Sequence, residues 1–313
     1  LMKLFTADHH IKLGQKNVPV EWAKDRYRKF FKIVYDLESK VDKHIVGGDF
    51  FDRKPSLEEL QLYFEFISGI GVETEIYDGN HEATKKNKTF FDFLRDVSET
   101  LNPLVKIITK THFNGEYTIL PYADLHKEGS IEACDSNYPL FTHVRGEIPP
   151  HVKPEVDLDR FKDFPVVYAG DLHSFSNCQR NIVYPGSPMT TSFHRSRVKT
   201  GGILIEDNFI DWEWIEFDLP QLIRKTVSDP SEMVKTEYDH TIYEIEGNVA
   251  DLAKVTNNEL LDKKIIVRDN TVSLDLSAAK NVREELKTYL VEKVGLSNNE
   301  ADSAIEEFEE IND

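Results

Sequence analysis

Along the N-terminal part of the chain the apolar positions switch between the period of a strand and the period of a helix. Residues 2–7 (MKLFTA) suit a short strand ending at Asp8. Within residues 21–40 the positions Ala23, Tyr27, Phe30, Phe31 and Val34 recur at three- and four-residue spacing, which puts them on one helix face. Residues 44–48 predict a second strand ending at Asp49. Ser56 and Glu59 then have capping-box spacing at the head of a second helix, with Leu57, Leu60, Phe64 and Ile67 expected to face inward. Residues 73–77 predict a third strand ending at Asp78 and Gly79, followed by a polar loop and a helix over 89–97. Strand alternating with helix predicts an α/β sheet.

Beyond Leu101 short strand-like runs dominate, at residues 105–108, 117–120, 139–142, 165–169, 182–184, 202–206 and 210–217, and a second sheet is expected from them. From Arg224 a strand–helix–strand set at 240–246, 249–257 and 263–267 reads as a separate α+β module. Two amphipathic helices close the chain. The first carries Val282, Leu286, Tyr289, Leu290 and Val294 before Gly295; the second opens on a Ser297–Glu300 capping box and presents Ala301, Ile305 and Phe308 at helical spacing. The expected units are therefore residues 1–223, 224–277 and 278–313.

A chain of 313 residues with 40% hydrophobic and 30% charged positions, including 19 Phe and 12 Tyr, has the composition of a folded globular protein. No apolar stretch approaches the roughly 18–20 residues of a membrane span, so a soluble, intracellular protein is expected, with no membrane partner. Cys134 and Cys178 stand far apart and in no CxxC spacing, which signals neither a disulfide framework nor a structural zinc site. The formal charge of -18 weighs against broad nucleic-acid affinity, because such affinity rests on Lys and Arg neutralising phosphates.

Short motifs rich in metal donors follow the predicted strands, where open α/β sheets gather ligands. They are Asp8-His9-His10, Gly48-Asp49-Phe50-Phe51-Asp52, Gly79-Asn80-His81-Glu82, Thr142-His143 and Gly170-Asp171-Leu172-His173. Each alone is ordinary turn punctuation. Together they offer carboxylate, imidazole and amide donors, a set that suits manganese, iron or zinc better than calcium.

In these motifs the chain closely resembles the calcineurin-like metallophosphoesterases, whose ordered signature D-x-H, GD-x-x-D, GNH-D/E, H and G-x-x-H is matched over residues 8–173. The resemblance implies a two-sheet α/β sandwich flanked by helices, with a small α+β capping domain and C-terminal helices. It also implies that Asp8, His10, Asp49 and His173 hold one divalent metal ion, while Asp49, Asn80, His143 and Asp171 hold a second, manganese being expected for both. Two cations roughly 3.5–4 Å apart need a shared anion, so Asp49 is the expected bridge. The implied reaction is in-line attack of a metal-bound hydroxide on phosphorus, assisted by His81, which is otherwise a loop histidine orienting a neighbour. Asp52 is expected to orient His81 or another ligand. His9 is either a packing residue or a substrate neighbour, with packing favoured.

Within the superfamily, Gly48 to Arg53 and Gly79 to Glu82 are shared with the serine/threonine phosphatases, but Lys54, Ala7 and Ile11 depart from their pattern. Tyr184-Pro185-Gly186-Ser187-Pro188 and Leu120-Pro121-Tyr122 instead resemble the SbcD-type exonucleases and their phage counterparts, which act in DNA repair, recombination and replication. That branch usually has G-H-x-H where this chain has Asp171. The resemblance implies a DNA exonuclease or endonuclease in the cytoplasm of a bacterial or phage-infected cell. It further implies an SMC-like ATPase bound through the C-terminal helices, the alternative being that the last helix packs on the preceding one as a hairpin, and a homodimer is also open. Lys85 and Lys86, and Arg195 and Arg197, follow the expected metal loops and are candidate DNA contacts. A phosphoprotein phosphatase and a non-catalytic scaffold are the alternatives.

Overall fold

The computed structural model describes residues 1–83, 88–267 and 281–312, the side chains of 307–312 excepted. Strand and helix alternate at the start: β1 (Met2–Thr6), α1 (Val20–Leu37), β2 (Val41–Gly47), α2 (Leu57–Gly69), β3 (Glu73–Tyr77), α3 (Phe91–Leu101) and β4 (Val105–Ile108). There follow β5 (His112–Phe113), β6 (Thr118–Leu120), the single turn α4 (Tyr122–Leu125), β7 (Leu140–His143), β8 (Val167–Gly170), β9 (Ile182–Val183), β10 (Gly201–Ile205) and β11 (Trp212–Glu216).

The first sheet has six strands in the order β11-β10-β1-β2-β3-β4, and the second has five in the order β5-β6-β7-β8-β9. β1 to β4 run parallel, as do β6 to β9, so many strand ends open toward one edge. Here the structure corrects the sequence reading. The runs at 105–108, 202–206 and 210–217 were expected in the second sheet, but β4 pairs with β3, and β10 returns antiparallel to β1. β10 is buried along its whole length, whereas β4 has Lys106 exposed and β11 has no buried residue, and neither pattern says which sheet a run joins.

Alternation along the strands explains the layers. Leu4, Val46 and Ile76 pack beneath α1 and α2 with Tyr27, Phe30, Phe31 and Phe66. Phe5, Ile45 and Tyr77, from the opposite face, meet Tyr117, Phe141 and Tyr168 of the second sheet. The capping box of α2 is present, with the Glu59 N–H donating to Ser56 Oγ at 3.2 Å. Its inner face is Leu62, Tyr63, Phe66 and Ile67; Leu57 is 85% exposed, because as the first helical residue it projects ahead of that stripe.

After β11 come β12 (Leu222–Val227), β13 (His240–Gly247), α5 (Val249–Lys254), β14 (Leu261–Ile266), α6 (Val282–Glu292) and α7 (Asn298–Asn312), with β12, β13 and β14 forming a three-stranded sheet. The chain divides into two compact units, Leu1–Ile245 with Thr256–Lys264, and Glu246–Val255 with Ile265–Asp313. In the second, α6 and α7 form a hairpin around Gly295, whose φ of 80° gives the left-handed turn. Lys287 pairs with Asp302 at 2.6 Å, and Ala301 and Ile305 are buried. The side chain of Phe308 lies outside the described residues. No helix among the described residues is long and apolar enough to cross a membrane.

Candidate metal centre

The motif loops leave the strand ends in tight turns. Asp8, His10, Asp49 and Asp171 have φ values of 56°, 45°, 50° and 103°, a region that L residues with side chains rarely occupy. The turns are locked together: the Asp8 N–H donates to the Gly48 carbonyl and the His10 N–H to the Asp49 carbonyl, each at 3.0 Å. Close approach needs glycine at position 79, where a Cβ would meet the Asp49 carboxylate, and at position 170, where it would lie 2.6 Å from His143 Nδ1.

Asp49 stands at the centre of the cluster. Its Oδ2 lies 3.6 Å from His10 Nε2, 3.4 Å from His143 Nε2 and 3.7 Å from His81 Nε2, while Oδ1 accepts from the His81 N–H at 3.0 Å. On one side His10 Nε2 and His173 Nε2 face each other at 3.0 Å, with Asp8 Oδ1 3.8 Å from His10 Nε2. On the other, His143 Nε2 is 3.0 Å from Asn80 Oδ1 and 3.9 Å from Asp171 Oδ1. Asp8, His10 and His173 can converge on one ion, as can Asp8, Asp49 and His143 or His10, Asp49 and His81. All of the candidate ligands are thus brought together, although Asp171 is the outlying member.

The donor set fits cations. Two imidazole lone pairs 3.0 Å apart require a proton or a metal between them. His143 donates from Nδ1 to the Gly47 carbonyl at 2.9 Å, which leaves its Nε2 lone pair for a ligand. The electrostatics agree. Burial opposes charge on His143, yet Asp49, Asp8 and Asp171 push its pKa well up, and His10 is raised against burial by Asp8, Asp49 and Asp52. Burial disfavours the Asp49 anion, but His143, His10 and His81 hold its pKa low. A field that attracts protons this strongly attracts divalent cations too.

Residues 3–167 match the calcineurin-like phosphoesterase family. The chain belongs to that family. It is 41% identical over 316 aligned positions to the "Probable exonuclease subunit 1" of Escherichia phage T5, an alignment covering 96% of this chain and 95% of the relative. Among solved structures, TT1561 of Thermus thermophilus aligns over 68% of this chain and 96% of its own, at 13% identity and a TM-score of 0.42.

In this phosphoesterase the candidate ligands are braced by residues to which the sequence alone gave no role. The Glu82 carboxylate, 1% exposed, accepts the N–H groups of Asp49, Phe51 and Gly79 at 3.0, 2.9 and 2.9 Å, tying two motif loops together. Burial and the Asp49 charge push its pKa up. Ser187 donates to the Asp8 carbonyl at 2.7 Å, and its N–H donates to the His173 carbonyl at 3.1 Å, so the Pro-Gly-Ser-Pro turn braces two ligand loops. Thr191 Oγ1 lies 3.1 Å from His173 Nδ1. The motif letters marked Glu82 and Ser187; nothing marked Thr191.

Asp52 uses its main chain and its side chain differently. Its carbonyl bonds the Nδ1 of His81, while its carboxylate takes Lys12 Nζ at 2.8 Å and lies 3.7 Å from His10 Nδ1. His9 is a core residue, in contact with the Phe30 and Phe50 rings and bonded to Thr6 Oγ1 at 2.8 Å. Of the candidate DNA contacts, Arg195 pairs with Glu244 at 2.7 Å, and Arg197 pairs with Asp218 at 2.7 Å and with Asp239. Lys85 and Lys86 lie outside the described residues.

Proposed function

We propose that the chain is a two-metal DNA nuclease using manganese, and the nuclease subunit of a complex with an SMC-like ATPase. The observation that carries this reading is the convergence of His10, His143, His173 and Asn80 donors around Asp49 and Asp8, in a chain with a full-length relative named as an exonuclease subunit. Asp8, His10, Asp49 and His173 are assigned to one cation, and Asp49, Asn80, His143 and Asp171 to the other. Bound there, the cations supply Lewis acidity toward the scissile phosphate and lower the pKa of the attacking water.

The protein supplies position and proton transfer. Asp49, held by its own N–H bond to Glu82, keeps one negative charge between the two ligand groups. With its Nδ1 engaged by the Asp52 carbonyl, His81 aims Nε2 toward the cleft, where the imidazolium form donates a proton to the leaving oxygen. A role in DNA repair, recombination or replication and a cytoplasmic setting belong to the same reading.

The segment 278–313 is the proposed attachment to the ATPase. Ala301 and Ile305 are buried in the described hairpin, so docking falls to its outer surface, where Val282, Tyr289 and Val294 are exposed. The ATPase would also supply basic surface that a chain of charge -18 lacks. Manganese-dependent digestion of end-labelled duplex DNA, with and without the ATPase and ATP, tests the reading. Cleavage of phosphoproteins with DNA left intact would replace it with a phosphatase. Removal of 278–313 should leave hydrolysis of a small diester in place and abolish co-purification with the ATPase; a complex that survives would move the docking surface elsewhere.

A further inference from the structure

Asp171 takes the Arg145 fork on both oxygens and faces the cluster with one of them. Arg145 donates from Nε to Oδ2 at 3.3 Å and from Nη2 to Oδ1 at 3.5 Å, while Oδ1 also lies 3.9 Å from His143 Nε2. The carboxylate is 8% exposed and the arginine side chain 44%, so a buried anion holds a half-exposed guanidinium at the lip of the metal centre. A histidine at position 171 would give that guanidinium no negative charge to rest on. Arginine carries five N–H donors in a rigid fork, and a side-on pair with Asp171 leaves others free for a phosphate.

Glu155 organises what lies beside it. Its Oε1 accepts the Arg145 N–H at 2.8 Å, and its Oε2 accepts the Tyr122 hydroxyl at 2.9 Å and lies 3.3 Å from His126 Nε2. The Tyr122 ring stands nearly perpendicular to those of His143 and His126, with centroids 6.0 and 4.9 Å away, and Glu155 ties its hydroxyl to the Arg145 main chain. A fixed cation beside a fixed ring matches the two parts of a nucleotide, a phosphate and a stacking base.

We propose that Arg145 and Tyr122 form the subsite for the nucleotide next to the scissile phosphate, with Asp171 holding Arg145 in place. Arg145 contacts the neighbouring phosphate, and the Tyr122 ring carries the base. The inference rests on the nuclease reading. Because Asp171 and Glu155 hold both groups before substrate arrives, less freedom is lost on binding.

The test uses the full-length protein with manganese and a short labelled single strand with a phosphorothioate backbone, whose binding is followed by fluorescence anisotropy across a salt series. Hydrolysis of bis(p-nitrophenyl) phosphate and metal content are measured in parallel. Arg145→Gln should weaken oligonucleotide binding about tenfold or more and lower the slope of log affinity against log salt by about one. Tyr122→Leu should weaken binding about fivefold or more and leave that slope alone, while Tyr122→Phe, which keeps the ring and loses only the bond to Glu155, should weaken it less than Tyr122→Leu. In the first two variants KM should rise more for DNA than for the small diester. Unchanged binding in both would overturn the subsite, as would equal losses on both substrates accompanied by lost metal. Wild-type protein that hydrolyses the small diester but neither binds nor cuts DNA would remove the nuclease reading itself, and the subsite with it.

Discussion

Two fully buried histidines, His44 in β2 of the first sheet and His143 in β7 of the second, occupy opposite electrostatic worlds. His44 sits in the aromatic core beside Phe66, with Nε2 on Thr6 Oγ1 at 2.8 Å, and burial alone drives its pKa down from 6.5 to about 3. His143 is as deeply buried, yet the charges of Asp49, Asp8 and Asp171 overcome burial and push its pKa well up. Burial therefore does not mark a functional histidine in this chain. Carboxylates at the neighbouring strand ends do, and they separate a region built to exclude charge from one built to collect it.

The largest effect should come from removing the anion that makes the difference. Asp49→Ala leaves His10, His81 and His143 without their shared carboxylate, and metal content measured by elemental analysis should fall toward zero. Retention of two ions would break the contrast at its root. His81→Ala comes next: it should keep its metals and lose turnover by about 10²–10⁴-fold. Near-normal rates on DNA would move the proton donor elsewhere.

A smaller loss is expected behind the ligands. Thr191→Val removes the hydroxyl on His173 Nδ1 and should cost roughly 10–100-fold in metal affinity, read by competition with a chelating dye. On the core side the sign is set by His44. Its folded pKa is depressed, so its stabilising contribution is complete above pH 6.5 and is lost as pH falls toward about 3. Between pH 6.5 and 5 that loss amounts to about 2 kcal/mol. Denaturant titrations of His44→Asn should show a shallower acid limb over that window, and an unchanged limb would show that the core histidine titrates normally. The mildest change is Asp171→His, which should shift the metal preference toward softer ions while keeping some activity. Identical activation profiles would mean that this position does not select the metal.

Chain order and local chemistry carried much of this. The period switch placed β1, β2 and β3 with their helices, the Ser56 and Glu59 pair marked the start of α2, and the motif letters marked Asp8, His10, Asp49, Asn80, His143, Asp171 and His173, because donors at strand ends are visible as letters. What the letters could not contain were relations between distant segments. That β10 returns to β1, that Thr191 reaches His173, that Glu82 gathers the N–H groups of three residues, and that Asp171 leans on Arg145 are all consequences of packing. The physical reason is range: helix period, capping and turn chemistry act over a few residues, whereas sheet order and the charge felt by a buried side chain depend on what tertiary folding brings within a few ångströms.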